Sequence, residues 1–190
     1  MNFTFIEQLG SGGFGTVDRV RDEQGREYAR KTFSVNQPMD QALIPNVRKR
    51  FIREARLQSG ISHRNVVPIL HAALSGDSPW YLMPVAESTL SKDIAVHKTL
   101  NGHYKLAMAD IIAALEDMHA MQMYHRDLKP QNVLRFLNEG GNKAYYAVSD
   151  FGFASVKDSK LSKLTYTGMA KGADYFSAPE IVKDLRSAMT

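Results

Sequence analysis

The stretch HRDLKPQN, His125 to Asn132, decides how the rest of the chain is read. It crowds a basic residue, an acid, a lysine and an amide around a proline, which suits a fixed loop better than a helix. On such a loop Asp127 and Asn132 can divide two tasks. The carboxylate accepts a proton from an attacking hydroxyl, and the amide oxygen binds a hard cation. Lys129 between them can neutralise charge on a phosphate in transit. Eighteen residues beyond Asn132, after the strand-like run AYYAVSD, Asp150 stands in the tripeptide DFG and offers a second oxygen to the same ion. Two protein oxygens completed by nucleotide phosphates and water suit magnesium.

Toward the amino terminus, LGSGGFGTV (Leu9 to Val17) spaces Gly10, Gly12 and Gly15 as G-x-G-x-x-G. A dinucleotide-binding fingerprint opens a helix at that point. Here two strand-like runs around the turn DEQG follow instead, so the glycines bridge two strands and form a lid whose bare backbone can approach phosphates. Lys31 lies near the end of the third predicted strand. On the helix predicted over 46–59, Val47, Phe51, Glu54 and Gln58 share one face. An inward carboxylate is costly unless it meets a positive charge, and Lys31 is the natural partner of Glu54. The opposite face, with Lys49, Arg53 and Arg56, is read as a solvated surface.

The 190 residues are 44% hydrophobic and 23% charged, ordinary values for a folded globular chain. The net charge of +4 is spread out apart from Arg48, Lys49, Arg50, Arg53 and Arg56, so no nucleic-acid partner is expected. The absence of cysteine excludes disulfides and thiolate metal sites. With no apolar run of membrane-spanning length and no signal-like start, no membrane association is expected and the expected location is cytoplasmic. Strand-like runs, NFTFIEQL, TVDRV, REYARKTF, VVPIL and PWYLMP, fill the first half to about Pro84. From Glu87 helical patterns take over. In HYKLAMADIIAALEDMHAMQM, Met108, Ile111, Ile112, Leu115 and Met118 predict the apolar stripe of one helix.

Taken in order, these motifs resemble the eukaryotic-type (Hanks-type) serine/threonine protein kinase catalytic domain, from the lid at Leu9 to Ala178, Pro179 and Glu180, which match the family's A-P-E. The resemblance implies an α+β bilobal fold. Residues 1–84 form an antiparallel β-sheet N-lobe, and residues 85–190 a truncated, mainly helical C-lobe with the catalytic loop and activation segment. It implies an ATP- and Mg-dependent enzyme that transfers the γ-phosphate to Ser or Thr hydroxyls of a protein substrate, itself included. Asp127 is then the catalytic base, Lys129 its neighbour in the serine/threonine form of the loop, Lys31 and Glu54 the phosphate-binding pair, and Asn132 and Asp150 the magnesium ligands. The lid of Leu9, Gly10, Ser11, Gly12, Gly13, Phe14 and Gly15 covers the nucleotide. Val17, Ala29 and Leu134 sandwich adenine, Met83 is the gatekeeper, and Pro84 to Ala86, with Val85 at the centre, form the hinge. Arg126 is similar to the arginine of kinases controlled by phosphorylation, with Ser159, Ser162, Thr165, Tyr166 and Thr167 as candidate acceptors.

Three positions depart from the family pattern. Ala173 stands where a threonine usually bonds the catalytic loop, and Gln58 where an apolar side chain usually links the lobes. Only IVKDLRSAMT follows A-P-E. Each buried Leu, Ile or Met contributes roughly 1.5–3 kcal/mol, so uncovering several along the His103–Met123 helix predicts that a second copy or a partner protein covers it. The rival reading is a nucleotide-binding switch or interaction module that has kept the motifs without turnover.

Overall fold

Runs of β-branched and aromatic residues, ended by Gly, Asp or Pro, build a sheet in the first half of the chain. The computed structural model describes residues 2–141, 143–152 and 155–156. β1 (Phe3–Gly12), β2 (Gly15–Asp22) and β3 (Glu27–Phe33) follow one another as antiparallel neighbours. Asp22 fixes the β2–β3 turn, its Oδ1 accepting from the backbone N–H of Gln24 and Arg26 at 2.9 Å each. With β4 (His71–Ala73) and β5 (Trp80–Met83) the sheet has the order β1-β2-β3-β5-β4.

The run VVPIL is not a strand, contrary to expectation. Pro68 lacks an N–H for a ladder, and the preceding residues bond elsewhere: Val67 N–H donates to Val148 O at 2.9 Å, and Val148 N–H to Asn65 O at 2.8 Å. Val66 and Val67 are buried there, and the strand begins only at His71.

α1 (Ile44–Ser59) starts two residues before the expected boundary because Pro45 sits at its first turn, a position where proline is tolerated. Asp40 caps the short 3-10 turn Gln41–Leu43 that leads into it. The predicted face is the buried one: Val47, Phe51, Glu54, Ala55 and Gln58. Phe51 packs on Phe33 and Tyr81 at ring separations of 5.8 and 5.4 Å and joins helix to sheet.

In the second half, β6 (Ser88–Thr89) leads into α2 (Leu90–Val96), capped by the Thr89 side chain. α3 (Tyr104–Ala120) follows, then β7 (Met123–Tyr124), β8 (Val133–Leu137), β9 (Ala144–Val148) and β10 (Ser155–Val156). β6, β8 and β9 form one small sheet, and β7 pairs with β10. The buried face of α3 keeps Ile111 and Met118 of the predicted stripe, with Leu115 packed against the core, but not Met108 and Ile112. Ala107, Ile111, Ala114 and Met118 are buried, whereas Met108 and Ile112 are 54% and 48% exposed. The alanines let the helix approach β9 closely, and that packing selects a face one residue away from the larger apolar side chains. Tyr104 and Leu106 add to this exposed apolar surface, on which the expectation of a covering copy or partner rests. A cluster holding Ala29, Phe51, Val67 and Met83 also includes Phe136 and Ala147, so the core runs from the first half into β8 and β9.

Candidate functional site

The lid is the β1–β2 hairpin itself. Gly12 faces Gly15 across the ladder with Gly13 and Phe14 as the turn, and a register shift lies between Gln8 and Gly10, at Leu9. A Cβ at Gly10 or Gly12 would meet nothing within 4 Å, so both stand open to a ligand. Gly13 and Gly15 serve the fold instead. A Cβ at Gly15 would lie 3.0 Å from the backbone oxygen of Thr32, and one at Gly13 would strike the Gln37 side chain at 2.9 Å. Asn36 secures the tip, its Nδ2 donating to Gly12 O at 2.8 Å and its N–H to Gly13 O at 3.0 Å. Leu9 and Ser11 are exposed beside them.

Behind the lid, β3 carries Lys31 between Val17 of β2 and Tyr81 of β5. Its Nζ donates to Glu54 Oε1 at 2.5 Å and stands 3.5 Å from Asp150 Oδ1. Tyr81 OH donates to the same Glu54 oxygen at 2.6 Å. Burial works against a charge on Lys31, but Asp150 and then Glu54 outweigh it and hold the amine protonated well above its ordinary range. Asp150 is held below the ordinary carboxylate value although desolvation opposes it, chiefly by Lys31 and further by the Gly152 N–H that its Oδ1 accepts.

The HRDLKPQN loop is built on backbone bonds to the strand end before Asp150. His125 Nε2 faces Ser149 O at 3.0 Å, and its Nδ1 accepts from Asp127 N–H at 3.3 Å. A ring that donates from one nitrogen and accepts at the other is neutral, and burial lowers the His125 pKa accordingly. Ser149 returns two bonds to Asn132 O, from N–H at 2.8 Å and from Oγ at 3.1 Å. Arg126 and Asp150 both take positive φ, 63° and 66°, a cost that non-glycine residues bear where the surroundings over-determine them. The buried Asp127 receives Lys129 Nζ at 2.7 Å and Asn132 Nδ2 at 3.1 Å, both on Oδ2.

Lys31, Glu54 and Asp150 form one contact group and Asp127, Lys129 and Asn132 another, and the two adjoin through Ser149, which bonds Asn132 O and immediately precedes Asp150. Asn132 Nδ2 also donates to Asp127 O at 2.9 Å, an orientation that leaves the amide Oδ1 as an acceptor without a partner among the described residues. The Asp150 side chain is 39% exposed. Among the described residues no group of three or more His, Cys, Asp or Glu gathers. Two hard oxygens without a protein cage fit a cation completed by phosphate and water, as magnesium is. Ala29 and Met83 are buried in one apolar cluster, with Val17, Phe14, Ala86 and Leu134 packed against it. Pro84 removes one donor from the segment after β5. Val85 N–H and C=O have no backbone partner among the described residues.

Ser159, Ser162, Thr165, Tyr166, Thr167, Ala173 and the triplet Ala178, Pro179, Glu180 lie outside the described residues. Sequence reasoning missed Tyr81, Asn36 and the bracing roles of His125 and Ser149. The only available signal was register: Tyr81 lies opposite Lys31 once β3 and β5 are paired.

Comparison with known proteins places the chain among protein kinases. The family described as Protein kinase domain matches residues 3–189. The chain is 33% identical over 186 residues to the serine/threonine-protein kinase PknK of Mycobacterium tuberculosis, covering 95% of this chain and 16% of that protein. It is 30% identical over 184 residues to the serine/threonine-protein kinase PrkC of Bacillus subtilis (94% and 26%). It is also 30% identical over 185 residues to the cAMP-dependent protein kinase catalytic subunit 2 of Drosophila melanogaster (96% and 48%). The chain thus spans less than half the length of each of these three relatives.

Proposed function

The chain belongs to the protein kinase domain family, and on that footing we propose that it transfers the γ-phosphate of ATP, with magnesium, to Ser or Thr hydroxyls of a protein. We read residues 1–190 as one such domain, 1–84 as its N-lobe and 85–190 as its C-lobe. The observation that carries the reading is the double engagement of Lys31 Nζ, by buried Glu54 and by Asp150 at the cleft. In this reading Lys31 holds the α- and β-phosphates, Gly10 and Gly12 cover them with backbone, and Val17, Ala29 and Leu134 enclose adenine below the hinge at Val85. Asn132 Oδ1 and the Asp150 carboxylate hold magnesium, which supplies charge neutralisation on the phosphates when bound. Because Lys129 and Asn132 occupy Asp127 Oδ2, Oδ1 is the atom left to accept the substrate proton. The hydroxyl oxygen then bonds to the γ-phosphorus, the bond to the bridging β–γ oxygen breaks, and ADP departs.

Among the described residues no helix is long and apolar enough to cross a membrane, and we place the domain in the cytoplasm. Incubation with labelled ATP and magnesium tests the reading. Transfer by the wild type that is abolished in Asp127→Ala and in Lys31→Ala is the expected result. Thermal stabilisation by the nucleotide with no transfer in the wild type would favour the switch.

A further inference from the structure

Two polar side chains lie in the N-terminal core where the phosphate-binding reading gives them no task. Tyr81 is 1% exposed and Gln58 is 0% exposed. Both join α1 to β5. Tyr81 OH donates to Glu54 Oε1 at 2.6 Å, and one turn further along the helix Gln58 Nε2 donates to Val67 O at 2.8 Å and lies 3.9 Å from Met83 Sδ. The spacings match. Four residues of helix rise about 6 Å and two residues of strand about 6.6 Å, so Glu54 and Gln58 meet Tyr81 and Met83 as two rungs of one ladder. A carbonyl oxygen can only accept, so the Val67 contact fixes the Gln58 amide and leaves its Oε1 buried without a partner among the described residues. Such an atom opposes stability, which argues that this contact serves placement rather than folding.

We propose that Tyr81 is a positioning residue for the phosphate-binding pair: with Gln58 as the second rung, it holds Glu54, and so α1, facing Lys31. The inference rests on the reading of Lys31 and Glu54 given above. Tyr81 OH shares one oxygen with Lys31 Nζ and leaves Glu54 Oε2 beside Gly152, where an added Cβ would lie 3.3 Å away. When Lys31 turns to phosphate, the phenol remains on Glu54 and the helix keeps its place.

Amide hydrogen exchange across α1 tests this in the wild type and in Tyr81→Phe, which keeps the ring and loses the hydroxyl. The same pair is compared in a Glu54→Ala background, which removes the acceptor. The expected result is exchange about tenfold or more faster in α1 alone, as for the loss of a hydrogen bond to a charged group, and no such change in the Glu54→Ala background. Unchanged exchange in α1, an equal rise in β2 and β3, or the same rise in both backgrounds would each overturn the proposal. Mg-ATP affinity is measured in parallel, with weaker binding expected for Tyr81→Phe. Failure of the wild type to bind Mg-ATP would count against the kinase reading, and the exchange data would still decide on Tyr81.

Discussion

Replacing Lys31 with methionine keeps most of the unbranched side chain and removes its charge from between two carboxylates. The two partners do not weigh equally. Asp150 has the larger influence on the protonation of Lys31, but it stands 3.5 Å away with a side chain 39% exposed, so water takes over much of that interaction when the amine is lost and its loss costs about 1 kcal/mol or less. Glu54 lies 2.5 Å away with a side chain 6% exposed, and losing the cation leaves a buried carboxylate held, among the described residues, by Tyr81 alone. Removing one member of such a pair costs roughly 3–5 kcal/mol, a large share of the 5–15 kcal/mol that stabilises a typical domain. The double variant Lys31→Met, Glu54→Met removes both charges and should recover part of that loss. About 1–3 kcal/mol is then missing, because Tyr81 OH loses its acceptor. The linkage has a definite sign. In Lys31→Met the Glu54 carboxyl has a folded pKa raised above its unfolded value, so the variant is relatively most stable below the unfolded value and weakens as pH rises through the folded one. Urea unfolding at several pH values measures these differences, provided the slope with denaturant stays constant. A single-variant loss below about 1 kcal/mol, or a double variant less stable than the single, would refute the reasoning.

The glycines of the lid separate into two classes. Gly15→Ala places a Cβ 3.0 Å from Thr32 O and should cost about 1–3 kcal/mol in thermal or urea unfolding. Gly10→Ala meets open space, so its unfolding should match the wild type while its effect appears in nucleotide affinity. The Asp93, Arg135 and Tyr146 cluster predicts two pH limits. Although burial opposes it, bonds from Arg135, Ser88 and Tyr146 hold Asp93 below its ordinary value near 3.8, so this contribution is present above that pH and fades as pH falls through the depressed folded value. Burial, with the Asp93 bond, pushes Tyr146 from 10.0 up to about 12, so its contribution is complete below pH 10.0 and is lost as pH rises through about 12. Melting curves of wild type and Asp93→Asn should therefore converge at both extremes and differ most between them.

Local chemistry made much of the site legible in the sequence. Asp127, Lys129 and Asn132 lie within one short loop. The inward turn of Glu54 follows from its helical spacing with Val47, Phe51 and Gln58, because a period of 3.6 leaves little choice of face. Register was not legible. Tyr81 sits in a run of four apolar or aromatic residues, and only the pairing of β3 with β5 reveals that it flanks Lys31. Two members of the α3 stripe, Met108 and Ile112, were misjudged for a related reason. Side-chain size favours Met108 and Ile112, whereas close approach to β9 favours Ala107 and Ala114, and packing distance is a property of the partner strand. Val66 to Leu70 show the same limit: strand propensity was outvoted by Pro68 and by the bonds of Val66 N–H to His63 O and of Val67 N–H to Val148 O.

Calorimetric titration with ATP, in the presence and absence of magnesium, tests most directly whether one triphosphate and its ion lie between Lys31 and Asp150. Magnesium should tighten ATP binding to the wild type, and Asp150→Asn should abolish that gain while leaving the fold intact by circular dichroism. Binding that ignores magnesium, or an Asp150→Asn variant that still responds to it as the wild type does, would contradict the account.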